Sequence, residues 1–117
     1  MKTETIAAIA TSLSESGISI IRISGEDAVK VADKIFVSKS GRKVSDFKSH
    51  TIHYGYVISN NETADEILLS VMLAPRSYTG EDTIEINCHG GVLVTKKLLA
   101  ILLKNGARLA MPGEFTK

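Results

Sequence analysis

Ile18-Ser19-Ile20-Ile21-Arg22-Ile23-Ser24, followed at once by Gly25-Glu26-Asp27, is the stretch on which the fold turns. Its β-branched run predicts a strand, with Ile18, Ile20 and Arg22 on one face and Ile21 and Ile23 on the other. The period then changes. Ala28, Ala32, Ile35 and Phe36 recur at helical spacing, which predicts a helix running to about Phe36. Ser24 is placed to accept the Asp27 amide, with Glu26 and Asp27 at the positive end of the helix dipole. A strand that gives way to a helix after one glycine marks a chain that mixes the two kinds of element.

Upstream, Thr5 to Ala10 is small and apolar and reads as a buried strand, linked by the polar turn Thr11 to Gly17. Downstream, Val37 to Ser49 carries Lys39, Arg42, Lys43 and Lys48 and reads as an exposed loop, its cations solvated rather than forming a binding patch. His50 to Ser59 and Glu66 to Leu73 read as a hairpin about Asn60-Asn61, ended by Pro75. Arg76 to Asp82 is a glycine-bearing loop, with Glu81 and Asp82 as turn residues and Tyr78 at the solvent edge. Thr83 to Cys88 alternates clearly. His89-Gly90-Gly91 then leads into an apolar helix, Val92 to Lys104, closed by Gly106. Ala107 to Met111 suggests a last short strand, and Pro112-Gly113-Glu114-Phe115 looks like the entry to another helix. A start signal so near Lys117 points to a piece of a longer protein. The order β-β-α-β-β-β-α-β predicts an α+β two-layer sandwich, two main helices covering one face of a mixed, mostly antiparallel sheet.

Composition narrows the functional classes. The 117 residues, 44% hydrophobic and 23% charged, suit one globular domain. Fourteen Lys and Arg against 13 Asp and Glu give a net charge of +1, which excludes strong counterion-release binding to nucleic acid by this chain alone. A single cysteine excludes an intrachain disulfide. There is no apolar run of the ~18 residues a membrane helix needs and no secretory signal at Met1-Lys2-Thr3-Glu4, so a soluble cytoplasmic protein is expected. The sequence has no P-loop, G-x-S-x-G, H-E-x-x-H or C-x-x-C motif. His50 and His53, three apart on a predicted strand, face opposite sides and make a poor metal site.

Two features are anomalous. Arg22 stands among isoleucines, where its permanent charge needs a partner or an exit at the sheet edge. Thr83, Glu85 and Asn87 line one face of their strand, opposite Ile84, Ile86 and an inward Cys88. Such a face either meets water or walls a polar pocket, and His89-Gly90-Gly91 beyond it leaves backbone amides uncovered. A carboxylate there suits a ligand edge with adjacent N–H donors, such as a pteridine, purine or guanidine.

Three stretches carry a resemblance. They are Thr5 to Thr11 with Ile21 to Gly25; Ala74 to Asp82 continuing through Glu85 to Gly91; and Gly106 to Ala110 with Pro112 to Lys117. Together they resemble the N-terminal domain of the tRNA-modification GTPase family MnmE, also called TrmE. The resemblance implies a single domain over 1–117, similar in fold to the folate-binding domain of aminomethyltransferases. It implies binding of 5-formyl- or methylene-tetrahydrofolate, with Arg22 and Glu85 as folate contacts, and homodimerisation. It further implies a longer protein with helical and GTPase domains, using GTP, potassium and magnesium. With its partner MnmG (GidA), that protein modifies carbon 5 of the wobble uridine of tRNA with a folate one-carbon unit. This fragment alone is expected to bind rather than catalyse. The alternative is a pure dimerisation domain without functional folate binding.

Overall fold

The structure, a computed structural model, describes residues 5–10, 18–74, 80–89 and 91–111. The expected turn at 11–17, most of the loop at 75–79 with Tyr78, Gly90 and the helix entry at 112–115 lie outside the described residues.

Seven strands among the described residues form one sheet. They are β1 (Ile6–Ile9), β2 (Ser19–Ser24), β3 (Phe36–Ser38), β4 (Thr51–Ser59), β5 (Glu62–Met72), β6 (Thr83–Cys88) and β7 (Arg108–Leu109), in the order β3-β4-β5-β6-β2-β1-β7. All pairings are antiparallel except β1 with β7, so the sheet is mixed as expected. Helices α1 (Ala28–Ile35) and α2 (Gly91–Lys104) pack on the sheet.

The alternation read from the sequence sets the core. Ile21 and Ile23 of β2 and Ile84, Ile86 and Cys88 of β6 are fully buried, as are Ile67, Leu69 and Val71 of β5. Each such aliphatic side chain contributes about 1.5–3 kcal/mol on burial. The helices close over this face with Ala28, Val31, Ala32 and Ile35 of α1 and Thr95, Leu98, Ile101 and Leu102 of α2. The result is the two-layer α+β sandwich that the element order predicts.

Three expectations are corrected. The Asp27 amide donates to Thr5 Oγ1 at 2.8 Å, not to Ser24. Ser24 remains in β2, paired with Ile6 and Thr83, so its side chain shares the Arg22 face, away from the helix layer. The segment 37–49 is not simply an exposed loop. Phe36–Ser38 extends the sheet along β4, and Val44 and Phe47 are buried. Asp33 fastens the segment, its Oδ1 and Oδ2 accepting the Val44 and Ser45 amides at 2.6 and 3.2 Å. Finally, β5 begins at Glu62, four residues before the expected start. Asn60 and Asn61 take φ of 52° and 63°, the left-handed pair of a two-residue hairpin, so pairing resumes at once with Ser59 opposite Glu62.

Candidate functional site

Pairing registers place Arg22 opposite Glu85, and Glu85 opposite Ser70 on its other side. Ile52 and Ala8 extend this row across the sheet, on the face turned away from the helices. The two residues singled out in the sequence therefore meet. Arg22 Nε donates to Glu85 Oε2 at 2.7 Å, and Nη2 reaches the same oxygen at 2.7 Å. Both side chains are 19% exposed. The guanidinium is thus a half-buried partner of a carboxylate, rather than a charge enclosed by isoleucines; Ile18 itself is exposed.

Spending both approaches on Oε2 has a chemical consequence. Glu85 Oε1 accepts no hydrogen bond from the described residues. The carboxylate is held in orientation by one oxygen and keeps the other available. Beside it lies an open depression of about 240 Å³, lined by Glu85, Ser70, Ile52, Met72, Thr51 and His50. One row further along, Asn87 Oδ1 is buried with no hydrogen-bond partner among the described residues. Thr83, expected to share an accessible polar wall, is instead fully buried, its Oγ1 donating to Glu81 O at 3.2 Å. Ser70 and the depression were missed from sequence. Their signal is the alternation in Glu66 to Leu73, which sets Leu68, Ser70 and Met72 opposite buried Ile67, Leu69 and Val71.

The remaining candidates play structural parts. Cys88 is inward as expected, its Sγ 3.6 Å from Thr95 Oγ1 and from Ser19 O, and burial pushes its thiol pKa up. Thr95 Oγ1 donates to Gly91 O at 2.7 Å, and Gly91 takes the positive φ of 82° at the start of α2. His50 bonds Ser49, whereas His53 bonds Thr51 and stacks on Phe47 at 3.4 Å between centroids. Asp82 accepts the Ala74 amide at 3.0 Å through Oδ1, which suits a turn residue. No cluster of three metal-ligating side chains occurs among the described residues, and no described helix is long and apolar enough to cross a membrane.

Fold and site together define an α+β module with a charged pair on an open sheet face beside a small depression. Comparison with known proteins makes this specific. Residues 5–117 match the family described as GTP-binding protein TrmE N-terminus, and the chain belongs to that family. The tRNA modification GTPase MnmE of Lachnoclostridium phytofermentans is 61% identical over 118 residues, covering all of this chain and 26% of that protein. Those of Ligilactobacillus salivarius and Geobacillus kaustophilus are 58% and 51% identical over 116 residues, covering 97% of this chain and 24% and 25% of theirs. The chain spans about a quarter of the length of these relatives.

Proposed function

We propose that this domain binds a reduced folate, 5-formyl- or methylene-tetrahydrofolate, and joins two subunits of a tRNA-modifying GTPase. The observation that carries the folate reading is the Glu85 carboxylate, oriented by Arg22 through Oε2 and uncommitted at Oε1, beside an open depression. The donor set fits the group. A pterin edge presents adjacent N–H donors, for which a fixed carboxylate oxygen is a strong acceptor. Ile52 and Met72 offer apolar surface, and Ser70 a hydroxyl, in the same depression. Arg22 thus acts as the holder of Glu85 and as a cation for polar or anionic parts of the cofactor. Bound folate supplies the one-carbon unit.

In the longer protein this module would work with helical and GTPase domains that use GTP, potassium and magnesium. With MnmG (GidA) it would act in the cytoplasm on carbon 5 of the wobble uridine of tRNA. The domain over 1–117 binds rather than catalyses on this reading, in a fold similar to the folate-binding domain of aminomethyltransferases. Isothermal titration with 5-formyl-tetrahydrofolate tests it. Glu85→Ala should weaken binding by about 2–3 kcal/mol, roughly 30- to 150-fold, by removing a charged hydrogen-bonding partner. Unchanged affinity removes Glu85 from the site.

A second reading, a pure dimerisation domain, draws on the same pair. Arg22 and Glu85 already pair with each other without a ligand, and Ile52, Tyr54 and Leu68 are exposed on β4 and β5. Light scattering that shows a dimer, together with no heat on folate addition to the full-length protein, would favour it.

A further inference from the structure

The depression beside Glu85 has a second polar side that the Arg22–Glu85 pair leaves unused. Glu85 of β6 stands opposite Ser70 of β5, and Ser70 stands opposite Ile52 of β4, with His50 just before that strand. His50 and Glu85 therefore reach one opening from opposite sides, with Ser70 between them.

His50 is held through both its backbone and its ring. Its amide donates to Val71 O at 2.7 Å, and its φ of 65° is a left-handed conformation that histidine adopts more readily than most residues. Its Nδ1 lies 2.8 Å from Ser49 Oγ. That same oxygen accepts the Leu73 amide at 2.8 Å, just past the end of β5. With a lone pair of Ser49 taken by Leu73, the hydroxyl turns its own proton to Nδ1, and this network assigns the proton of the neutral ring to Nε2. Nε2 has no hydrogen-bond partner among the described residues, and His50 is exposed. One ring nitrogen thus serves the turn into β4, and the other is a positioned donor at the rim. The depression then presents a donor at His50, a hydroxyl at Ser70 and an oriented acceptor at Glu85 Oε1.

We propose that His50 is a further contact for the bound ring, its Nε2–H donating to a ring carbonyl that adjoins the N–H edge held by Glu85. The inference rests on reading this depression as the folate site. A pterin carries that pattern along one side: the 2-amino group and N3–H as donors, then the 4-oxo group as acceptor. A carboxylate takes the N–H edge without regard to the group beside it. A fixed donor beyond it favours the 4-oxo ring over the 4-amino ring, in which two donors would face each other. At about 240 Å³ the depression has room for a ring rather than for the whole cofactor.

The test is isothermal titration of the unaltered protein, His50→Asn and His50→Gln with 5-formyl-tetrahydrofolate and with aminopterin, the 4-amino analogue of folate. Asparagine suits the left-handed backbone but stops short of the Nε2 position, whereas glutamine brings an amide N–H close to it. His50→Asn should weaken 5-formyl-tetrahydrofolate binding about 3- to 10-fold, and His50→Gln should recover most of that loss. Aminopterin should bind His50→Asn no worse than the unaltered protein, which separates a lost contact from a disturbed site. Long-range proton–nitrogen NMR spectra should show the ring proton on Nε2 and a shift of that signal when 5-formyl-tetrahydrofolate is added. Unchanged affinity in His50→Asn, alongside a loss in Glu85→Ala, would remove His50 and leave the folate reading standing. Equal losses for both ligands, or a proton on Nδ1, would overturn the carbonyl contact. No binding by the unaltered protein, or full affinity in Glu85→Ala, would sink the folate reading itself and this contact with it.

Discussion

Replacing Arg22 and Glu85 by leucine, singly and together, measures what the central ion pair contributes. Each single change takes a bonded partner from a charge that is only one-fifth exposed, and removes both 2.7 Å approaches of the guanidinium to Oε2. A hydrogen bond to a charged group contributes about 1.5–3 kcal/mol, and this degree of burial limits solvent screening. Each single variant should therefore lose about 1.5–3 kcal/mol of stability. The double variant removes both members of the pair and puts two apolar side chains in register across β2 and β6. It should lose less than the sum, with a coupling of about 1–2 kcal/mol. Urea unfolding of the four proteins reads this directly, provided the denaturant slope is common to all. Additivity within about 0.5 kcal/mol would refute the reasoning, because it would mean the two groups are solvated independently.

Two further outcomes follow from packing. A Cβ on Gly55 would meet the Val37 carbonyl oxygen and lie 2.6 Å from Phe36 Cζ, so Gly55→Ala should cost about 1–3 kcal/mol in urea unfolding, and an unchanged midpoint would dismiss that contact. His53 is held below its ordinary pKa of 6.5, first by burial and second by Arg42. The unfolded chain takes up this proton at higher pH than the native one, so its stability contribution is present above about pH 6.5 and declines as pH falls towards the native pKa. Between about pH 7.5 and pH 5 the urea midpoint should fall, and fall less in His53→Phe; equal falls would clear His53 of the effect.

The elements with regular alternation were legible in the sequence. Ile21 and Ile23, and Ile84, Ile86 and Cys88, lie where period-two reading puts them, because one face of the sheet is covered by helices. Helix α1 was legible for the same reason at a different period. What escaped notice was decided by partners far along the chain. Phe36–Ser38 is a strand because β4 offers it a partner, and Val44 and Phe47 are buried because Asp33 fastens the segment between them. The Asp27 amide finds Thr5, 22 residues away, where local reasoning supplied Ser24. At the candidate site, both anomalous residues were visible. That they bond to each other was not, because the register between β2 and β6 is set by the whole sheet.

Arg22 and Glu85 stand 63 residues apart in the chain and touch only when β2 and β6 are zipped together. An isolated hairpin or a half-assembled sheet therefore contains neither the pair nor the pose of its free carboxylate oxygen. Any molecule that recognises that arrangement engages the native ensemble alone, and its occupancy pulls the folding equilibrium forward by mass action, about 2.7 kcal/mol at a hundredfold excess over Kd. Ligand-induced thermal stabilisation should accordingly be a sensitive screen for whatever occupies this face, since recognition and completion of the sheet are one event.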